Sequence, residues 1–165
     1  MKVPSWIEYF RNIINVVATK STCLRRQVGA IAVKDRRILS TGYNGQIMGS
    51  PHCETCIRND LKLASGSDSS ICYAVHAEMN LVGQAAIHGI SLNGATAVIS
   101  CKPCITCYKL LCNSGIKNIV YFETYNDLFI DKLIEINKSK IYEYPTYFLI
   151  ARVDDMFKEI DCQLF

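Results

Sequence analysis

Three cysteines in the stretch SCKPCITC are spaced three residues apart, at positions 101, 104 and 107. Taken alone, this spacing is compatible with an iron–sulfur site, half of a zinc site or a redox pair. The proline before Cys104 favours the start of a helix, in which Cys104 and Cys107 lie about one turn apart on one face. Two thiolates so placed can bind one metal ion, and the positive end of the helix favours the thiolate form.

A second segment, VHAEMN, places His76 and Glu78 at the start of another predicted helix. His-x-Glu alone is weak evidence, but its combination with Pro-Cys-x-x-Cys is the signature of zinc-dependent nucleobase deaminases. His76, Cys104 and Cys107 would supply three zinc ligands and leave the fourth position for water. A structural zinc site has no use for Glu78, so we predict that this carboxylate moves protons during catalysis. Cys101 is then not expected to bind the zinc.

Composition and charge limit the class of protein. Nine cysteines among 165 residues are an odd and large number, which favours a metal binder over a disulfide scaffold. The N-terminal residues mix charged and apolar side chains, unlike a secretory signal, and no apolar run is long enough to span a membrane. We therefore expect a cytoplasmic protein. The net charge of +3 suits an anionic substrate and is too small to predict extended nucleic-acid binding.

Hydrophobic periodicity and turn residues predict the elements that position these side chains. The sequence predicts helices over 5–20, 76–88, 104–113 and 127–137, and strands over 28–34, 38–44, 95–100, 117–122 and 140–150. This order indicates an α/β fold with a mixed central sheet flanked by helices. Residues 45–74, with several Gly and Ser, predict an irregular insertion. Strand–helix–strand units bring helix N-termini to one sheet edge, where His76 and Cys104 can meet.

Several segments, among them CLRRQVGAIAVKDRRILSTGYNG, VHAEMN, PCITC and NSGIKNIVYF, resemble the cytidine and deoxycytidylate deaminase superfamily. The similarity runs from about Thr22 to Phe122, and GYNG before the insertion is typical of the deoxycytidylate (dCMP) deaminases within it. The resemblance implies the three-layer cytidine-deaminase-like fold in one domain over 1–165, with an unmatched C-terminal part over about 126–165. It also implies hydrolysis of dCMP to dUMP and ammonia, which supplies dUMP for dTMP synthesis.

The same resemblance implies substrate contacts. Asn44 matches the family asparagine that contacts the nucleotide sugar, and the backbone of Ala77 is expected to contact the base. Arg26 is a candidate for the 5′-phosphate, because a guanidinium can bind it through two hydrogen bonds, and Arg25 could do the same. The alternatives are ordinary ones: Asn44 as a turn residue ahead of Gly45, and the arginines as a solvated basic turn.

Related enzymes carry a second, structural zinc near the inserted segment, and we predict one here. Its expected ligands are four cysteines outside the catalytic motif, Cys23, Cys53, Cys56 and Cys72, and His52 could replace one of them. Such a set has acceptable zinc chemistry and would stabilise an insertion that buries little apolar surface. The alternative is four reduced thiols.

The resemblance further implies dCTP and dTTP as effectors and a homo-oligomer, which is a hexamer in many relatives. Ile47 stands where the family often has proline, in the neighbourhood that these effectors use, and this departure from the family pattern argues against feedback control in this chain. Alternative functions are deamination of another cytosine nucleotide such as dCTP or CMP, deamination of tRNA or polynucleotide, and a non-catalytic zinc-binding protein on the same fold. Glu78 argues against the last of these, and the modest charge argues against a polynucleotide substrate.

Overall fold

The computed structural model describes residues 3–64, 67, 69–124, 127–139 and 149–152. The helices are α1 (Trp6–Ala18), α2 (Ile57–Asp60), α3 (Ala77–Ile87), α4 (Ile105–Asn113) and α5 (Leu128–Ser139). The strands are β1 (Gly29–Lys34), β2 (Arg37–Tyr43), β3 (Gly45–Gln46), β4 (Ala74–Val75), β5 (Thr96–Cys101), β6 (Asn118–Glu123) and β7 (Leu149–Arg152). A single 3₁₀ turn, Ser69–Ile71, precedes β4 within the described residues.

Five strands form a mixed sheet in the order β2-β1-β5-β6-β7. Strand β1 is antiparallel to β2 and β5, whereas β5, β6 and β7 are parallel to one another. This confirms the predicted mixed α/β sheet, and the predicted helices and first four predicted strands agree with the structure within about two residues. The strand predicted over 140–150 shares only its last two residues with β7, and 140–148 lie outside the described residues.

Strands β1 and β5 of the sheet are buried on both faces, which indicates a three-layer arrangement. Ala30 and Ala32 of β1 pack into the core on the side of α3 and α4, while Ile31 and Val33 pack against α1. Alternate residues of a strand point to opposite faces, so a strand covered on both sides is apolar at nearly every position. Strand β1 therefore lies in the middle layer, with helices packed on both of its faces.

The contact between β2 and α3 fixes the helix that carries Glu78. A Cβ atom built on Gly42 would lie 2.2 Å from the carbonyl oxygen of Ala77 and 2.4 Å from the backbone nitrogen of Leu81. The hydroxyl of Ser40 donates to the carbonyl of Leu81 at 2.9 Å, and Nδ2 of Asn80 donates to the carbonyl of Tyr43 at 2.7 Å. The first turns of α3 thus lie directly on the strand.

Two glycines test this contact in opposite directions. We expect Gly42→Ala to lower the free energy of unfolding by about 2–3 kcal/mol and to reduce activity, because its methyl group would push α3 away from β2. Gly83 is the matched control: it lies within α3, and apart from its chain neighbours and the backbone of its own helix no described atom lies within 4 Å of a Cβ built there. Gly83→Ala should raise the free energy of unfolding by about 0.5–1 kcal/mol. Denaturant unfolding of both variants measures this, and equal effects would contradict the packing described.

No helix in the described part of the chain is long and apolar enough to cross a membrane.

Candidate active site

The predicted ligands His76 and Cys104 are the N-cap residues of two neighbouring helices, α3 and α4. Both have extended backbone angles, with φ −71° and ψ 155° at His76 and φ −74° and ψ 166° at Cys104. In a regular helix, residues two apart point about 200° apart. Because His76 lies just outside the helix, its side chain and that of Glu78 can line the same cavity.

His76, Cys104 and Cys107 bring their donor atoms together within 4.8 Å of one another. The Nδ1 atom of His76 lies 3.6 Å from Sγ of Cys104 and 3.4 Å from Sγ of Cys107. Tetrahedral zinc, with bonds of about 2.3 Å to sulfur and about 2.0 Å to nitrogen, would hold such atoms about 3.5 Å apart. One imidazole and two thiols at these separations therefore fit a zinc ion with one position left for water.

The ionisation of the three side chains is linked through their contacts. The hydrogen bond with Cys107 lowers the pKa of Cys104 to about 4, and the same contact raises the pKa of Cys107. The hydrogen bond with Cys104 raises the pKa of His76. The contact thus favours one thiolate in the pair, and binding of a metal to all three ligands requires the second thiol to release its proton as well.

Glu78, in the first turn of α3, is almost fully buried, with 4% of its surface exposed. Burial in the site raises the pKa of this carboxyl group above its ordinary value, because a charged form is poorly solvated there. A carboxyl group with a raised pKa holds a proton more readily than an ordinary one, so it can both accept a proton and return it. Its position and chemistry are those of a general acid and base beside the candidate zinc ligands.

A cavity of about 340 Å³ opens beside this cluster. Its lining includes six of the residues predicted for catalysis, catalytic zinc binding and substrate binding: Asn44, Arg26, His76, Ala77, Glu78 and Cys104. A volume of this size is in the lower part of the range for small-molecule sites. The structure therefore brings two of the three predicted zinc ligands, the predicted proton carrier and the predicted substrate contacts to one cavity.

Asn44 is buried, and its side chain forms hydrogen bonds to other groups of the protein. Its Oδ1 accepts from the backbone N–H of Val28 at 2.8 Å and from the hydroxyl of Ser21 at 2.7 Å. Its Nδ2 donates to the carbonyl of Arg26 at 2.8 Å. Asn44 thus shapes the loop that borders the cavity, and its contact with a nucleotide sugar stays a prediction.

The two arginines that were candidates for a phosphate differ in their partners. Arg26 forms an ion pair with Glu123 at 2.8 Å. Arg25 is exposed and donates from Nη2 to the carbonyl of Leu63 at 3.1 Å. Both line the cavity, so each can reach a bound molecule.

Sequence reasoning missed two further cationic residues of the cavity, Arg58 and Lys102. Lys102 forms an ion pair with Asp131. It could have been found, because it lies between Cys101 and the Pro-Cys-x-x-Cys motif. Arg58 belongs to the insertion, where no motif indicates which residues face the site.

The four cysteines predicted to hold a structural zinc do not form a second ligand cluster in this structure. Cys23, Cys56 and Cys72 line the cavity, whereas Sγ of Cys53 accepts from Nε2 of Gln46 at 2.6 Å. Within the described residues, His76, Cys104 and Cys107 are the only set of three or more ligating side chains close enough to share an ion. The second zinc therefore remains a prediction, as does the alternative ligand His52.

Cys101, the third cysteine of SCKPCITC, is buried at the end of β5. Burial raises its pKa to about 12, so it stays a neutral thiol under ordinary conditions. This agrees with the prediction that it is not a zinc ligand.

Comparison with known proteins adds evidence on the family. The profile described as "cytidine and deoxycytidylate deaminase zinc-binding region" matches residues 4–123. The deoxycytidylate deaminase of Mycobacterium phage D29 is 40% identical over 126 residues, which cover 73% of this chain and 97% of the phage protein. ComE operon protein 2 of Bacillus subtilis is 38% identical over 123 residues, which cover 73% of this chain but only 61% of that protein.

Among solved structures, the dCMP deaminase of cyanophage S-TIM5, in complex with dCMP and dUMP, has the same fold. It superposes with a TM-score of 0.69 at 23% identity and covers 92% of this chain and 99% of that chain. The matched region contains both helix starts and all three candidate zinc ligands. The chain belongs to the cytidine and deoxycytidylate deaminase family.

Proposed function

We propose that this protein catalyses the zinc-dependent hydrolysis of dCMP to dUMP and ammonia, and so supplies dUMP for dTMP synthesis. The observation that carries the proposal is the buried Glu78, which lines one cavity together with His76 and Cys104 of the candidate zinc cluster that Cys107 completes. The substrate is supported by the relative from Mycobacterium phage D29, which is named deoxycytidylate deaminase.

The zinc would be held by Nδ1 of His76 and by the sulfur atoms of Cys104 and Cys107. When bound, zinc lowers the pKa of water toward about 7 and makes hydroxide available at neutral pH. With its ligands at the starts of α3 and α4, the zinc would supply this chemistry next to Glu78.

Glu78 carries the protons of the reaction. It takes a proton from water and delivers it to N3 of the cytosine while hydroxide adds to C4. It then takes the proton of the new hydroxyl group and delivers it to the amino group, which leaves as ammonia. The carbonyl at C4 forms, N3 keeps its proton, and Glu78 returns to its starting state.

The substrate contacts belong to the same proposal. Asn44 borders the cavity and would contact the sugar through any hydrogen-bonding capacity that its internal partners leave. The backbone of Ala77, next to the ligand His76, would contact the base. Arg26 would contribute positive charge toward the phosphate, although Glu123 shares that charge.

We further propose a cytoplasmic homo-oligomer that responds to dCTP and dTTP. The exposed apolar and aromatic side chains of Trp6, Tyr9 and Val16 on α1 support an interface between copies, since clustered apolar surface often marks such contacts. Light scattering of the purified protein, with and without these nucleotides, tests the assembly. A monomer under all conditions would overturn this part of the proposal.

A second, structural zinc is also proposed, with ligands drawn from Cys23, Cys53, Cys56 and Cys72. Three of these residues already border the same cavity, so a modest rearrangement of the insertion on metal binding could complete the set. Metal analysis should give two zinc ions per chain. Cys56→Ser should reduce this to one, the catalytic zinc held by His76, Cys104 and Cys107. One zinc per chain in the unmodified protein would leave these cysteines as plain thiols.

The experiment that tests the function is a deamination assay of the zinc-loaded protein on dCMP, CMP, dCTP, deoxycytidine and cytidine. The proposal expects the highest kcat/KM for dCMP. Preference for CMP or dCTP would replace the substrate but keep the reaction. If none of the five is deaminated but a tRNA or polynucleotide is, the substrate would be a nucleic acid. If neither class is deaminated, the protein would be a zinc-binding protein without this activity.

A further inference from the structure

We propose that Arg58 is a specificity-determining residue that recognises the phosphate of the substrate, so that the site selects a nucleoside monophosphate over a nucleoside. This inference rests on the proposed function and adds a residue from the insertion to it. The charges around the cavity and the contacts of the guanidinium support it.

The charges of the cavity favour an anion. Among the described residues that line it, Arg25, Arg26, Arg58 and Lys102 are cationic, and Glu78 is the one carboxylate. Two of the four cations are neutralised by ion pairs with carboxylates, Arg26 by one on β6 and Lys102 by one on α5. Arg25 and Arg58 have no carboxylate partner in the part of the chain that the structure describes.

The guanidinium of Arg58 is fixed in place by carbonyl groups. Its Nη2 donates to the carbonyl of Ala64 at 3.0 Å and to the carbonyl of Ser67 at 2.6 Å. Carbonyl groups orient a cation but carry no full charge, so the positive charge of Arg58 remains available to an anion. In addition, Nε of Arg58 is buried without an acceptor in the described part of the chain.

Arg25 is the weaker candidate of the two. It is exposed to solvent and is held by a single carbonyl, that of Leu63. Water screens an exposed charge, and a long side chain with one contact loses more conformational freedom when it binds a ligand. Arg58 is partly buried and already ordered, so its interaction with a phosphate group is expected to be stronger.

The test compares a substrate that carries the phosphate with one that lacks it. For the zinc-loaded wild type, Arg58→Gln and Arg58→Lys, we would measure kcat/KM for dCMP and for deoxycytidine. Arg58→Gln should lower kcat/KM for dCMP by about 10- to 100-fold and change that for deoxycytidine by less than about threefold. Arg58→Lys keeps the charge and should recover part of the loss. Arg37→Gln, at the opposite end of the β1–β2 hairpin from the site, removes the same charge and should behave as wild type.

Binding separates this inference from the proposed function. Calorimetry with dUMP and deoxyuridine requires no turnover, so it gives a result even if the protein proves inactive on dCMP. Arg58→Gln should weaken binding of dUMP by about 10-fold or more and leave deoxyuridine unchanged. An equal loss for both ligands would mean that Arg58 merely holds the backbone at Ala64 and Ser67 in place. No loss for either ligand would mean that Arg58 does not contact the phosphate, and each of these two results overturns the inference.

Discussion

Replacing Glu78 by glutamine is expected to lower kcat for dCMP by about 10³- to 10⁴-fold while the zinc content stays the same. The amide keeps the shape and the burial of the side chain but can neither take a proton from water nor deliver one to N3 of the base. Glu78 is not one of the three residues whose donor atoms form the metal-binding cluster, so the zinc should remain. Steady-state kinetics and metal analysis on the same preparation measure both quantities.

The matched control is Glu135→Gln, the same chemical change at an exposed position of α5. This variant should keep the kcat and the zinc content of the wild type. If Glu78→Gln retains kcat within about tenfold of the wild type, Glu78 is not the group that moves the protons. If it instead loses its zinc, its role is to support the ligands rather than to carry out the reaction.

The second large effect concerns the three cysteines of SCKPCITC, which should respond differently to the same change. Cys104→Ser and Cys107→Ser should each lose the catalytic zinc and all measurable deamination, because a serine hydroxyl is a poor zinc ligand in place of a thiolate. Cys101→Ser should keep the zinc and activity close to that of the wild type, with a loss of stability of about 1–2 kcal/mol from burial of a hydroxyl group. Metal analysis and thermal unfolding of the three variants test this.

The comparison is informative because all three side chains are buried and lie within seven residues of one another. A general effect of serine on packing would therefore reach all three variants alike. Loss of zinc from Cys101→Ser, or retention of zinc by Cys104→Ser, would contradict the ligand set of His76, Cys104 and Cys107.

The candidate site could be predicted because its residues lie in two short sequence motifs. Pro103 and the spacing of Cys104 and Cys107 indicated a helix start, and the structure places Cys104 as the N-cap of α4. The strand–helix–strand order then brought His76 to the same sheet edge. Apolar runs such as residues 28–34 were long enough to identify the central strands, which are buried on both faces.

The insertion could not be predicted in the same way. Strands β3 and β4, which pair at its two ends, have only two residues each, too few to show a period. The role of Arg58 depends on carbonyl groups at Ala64 and Ser67, which have no sequence signature. The internal hydrogen bonds of Asn44 likewise depend on the path of residues 21–28, which pattern alone does not give.

The most direct test of the central claim is the conversion of dCMP by zinc-reconstituted protein, followed by chromatography of the nucleotide and by assay of the ammonia released. We predict one dUMP and one ammonia for each dCMP consumed, loss of the reaction on removal of zinc by a chelator, and its return when zinc is added back. Zinc-loaded, folded protein that leaves dCMP unchanged would contradict the proposed function.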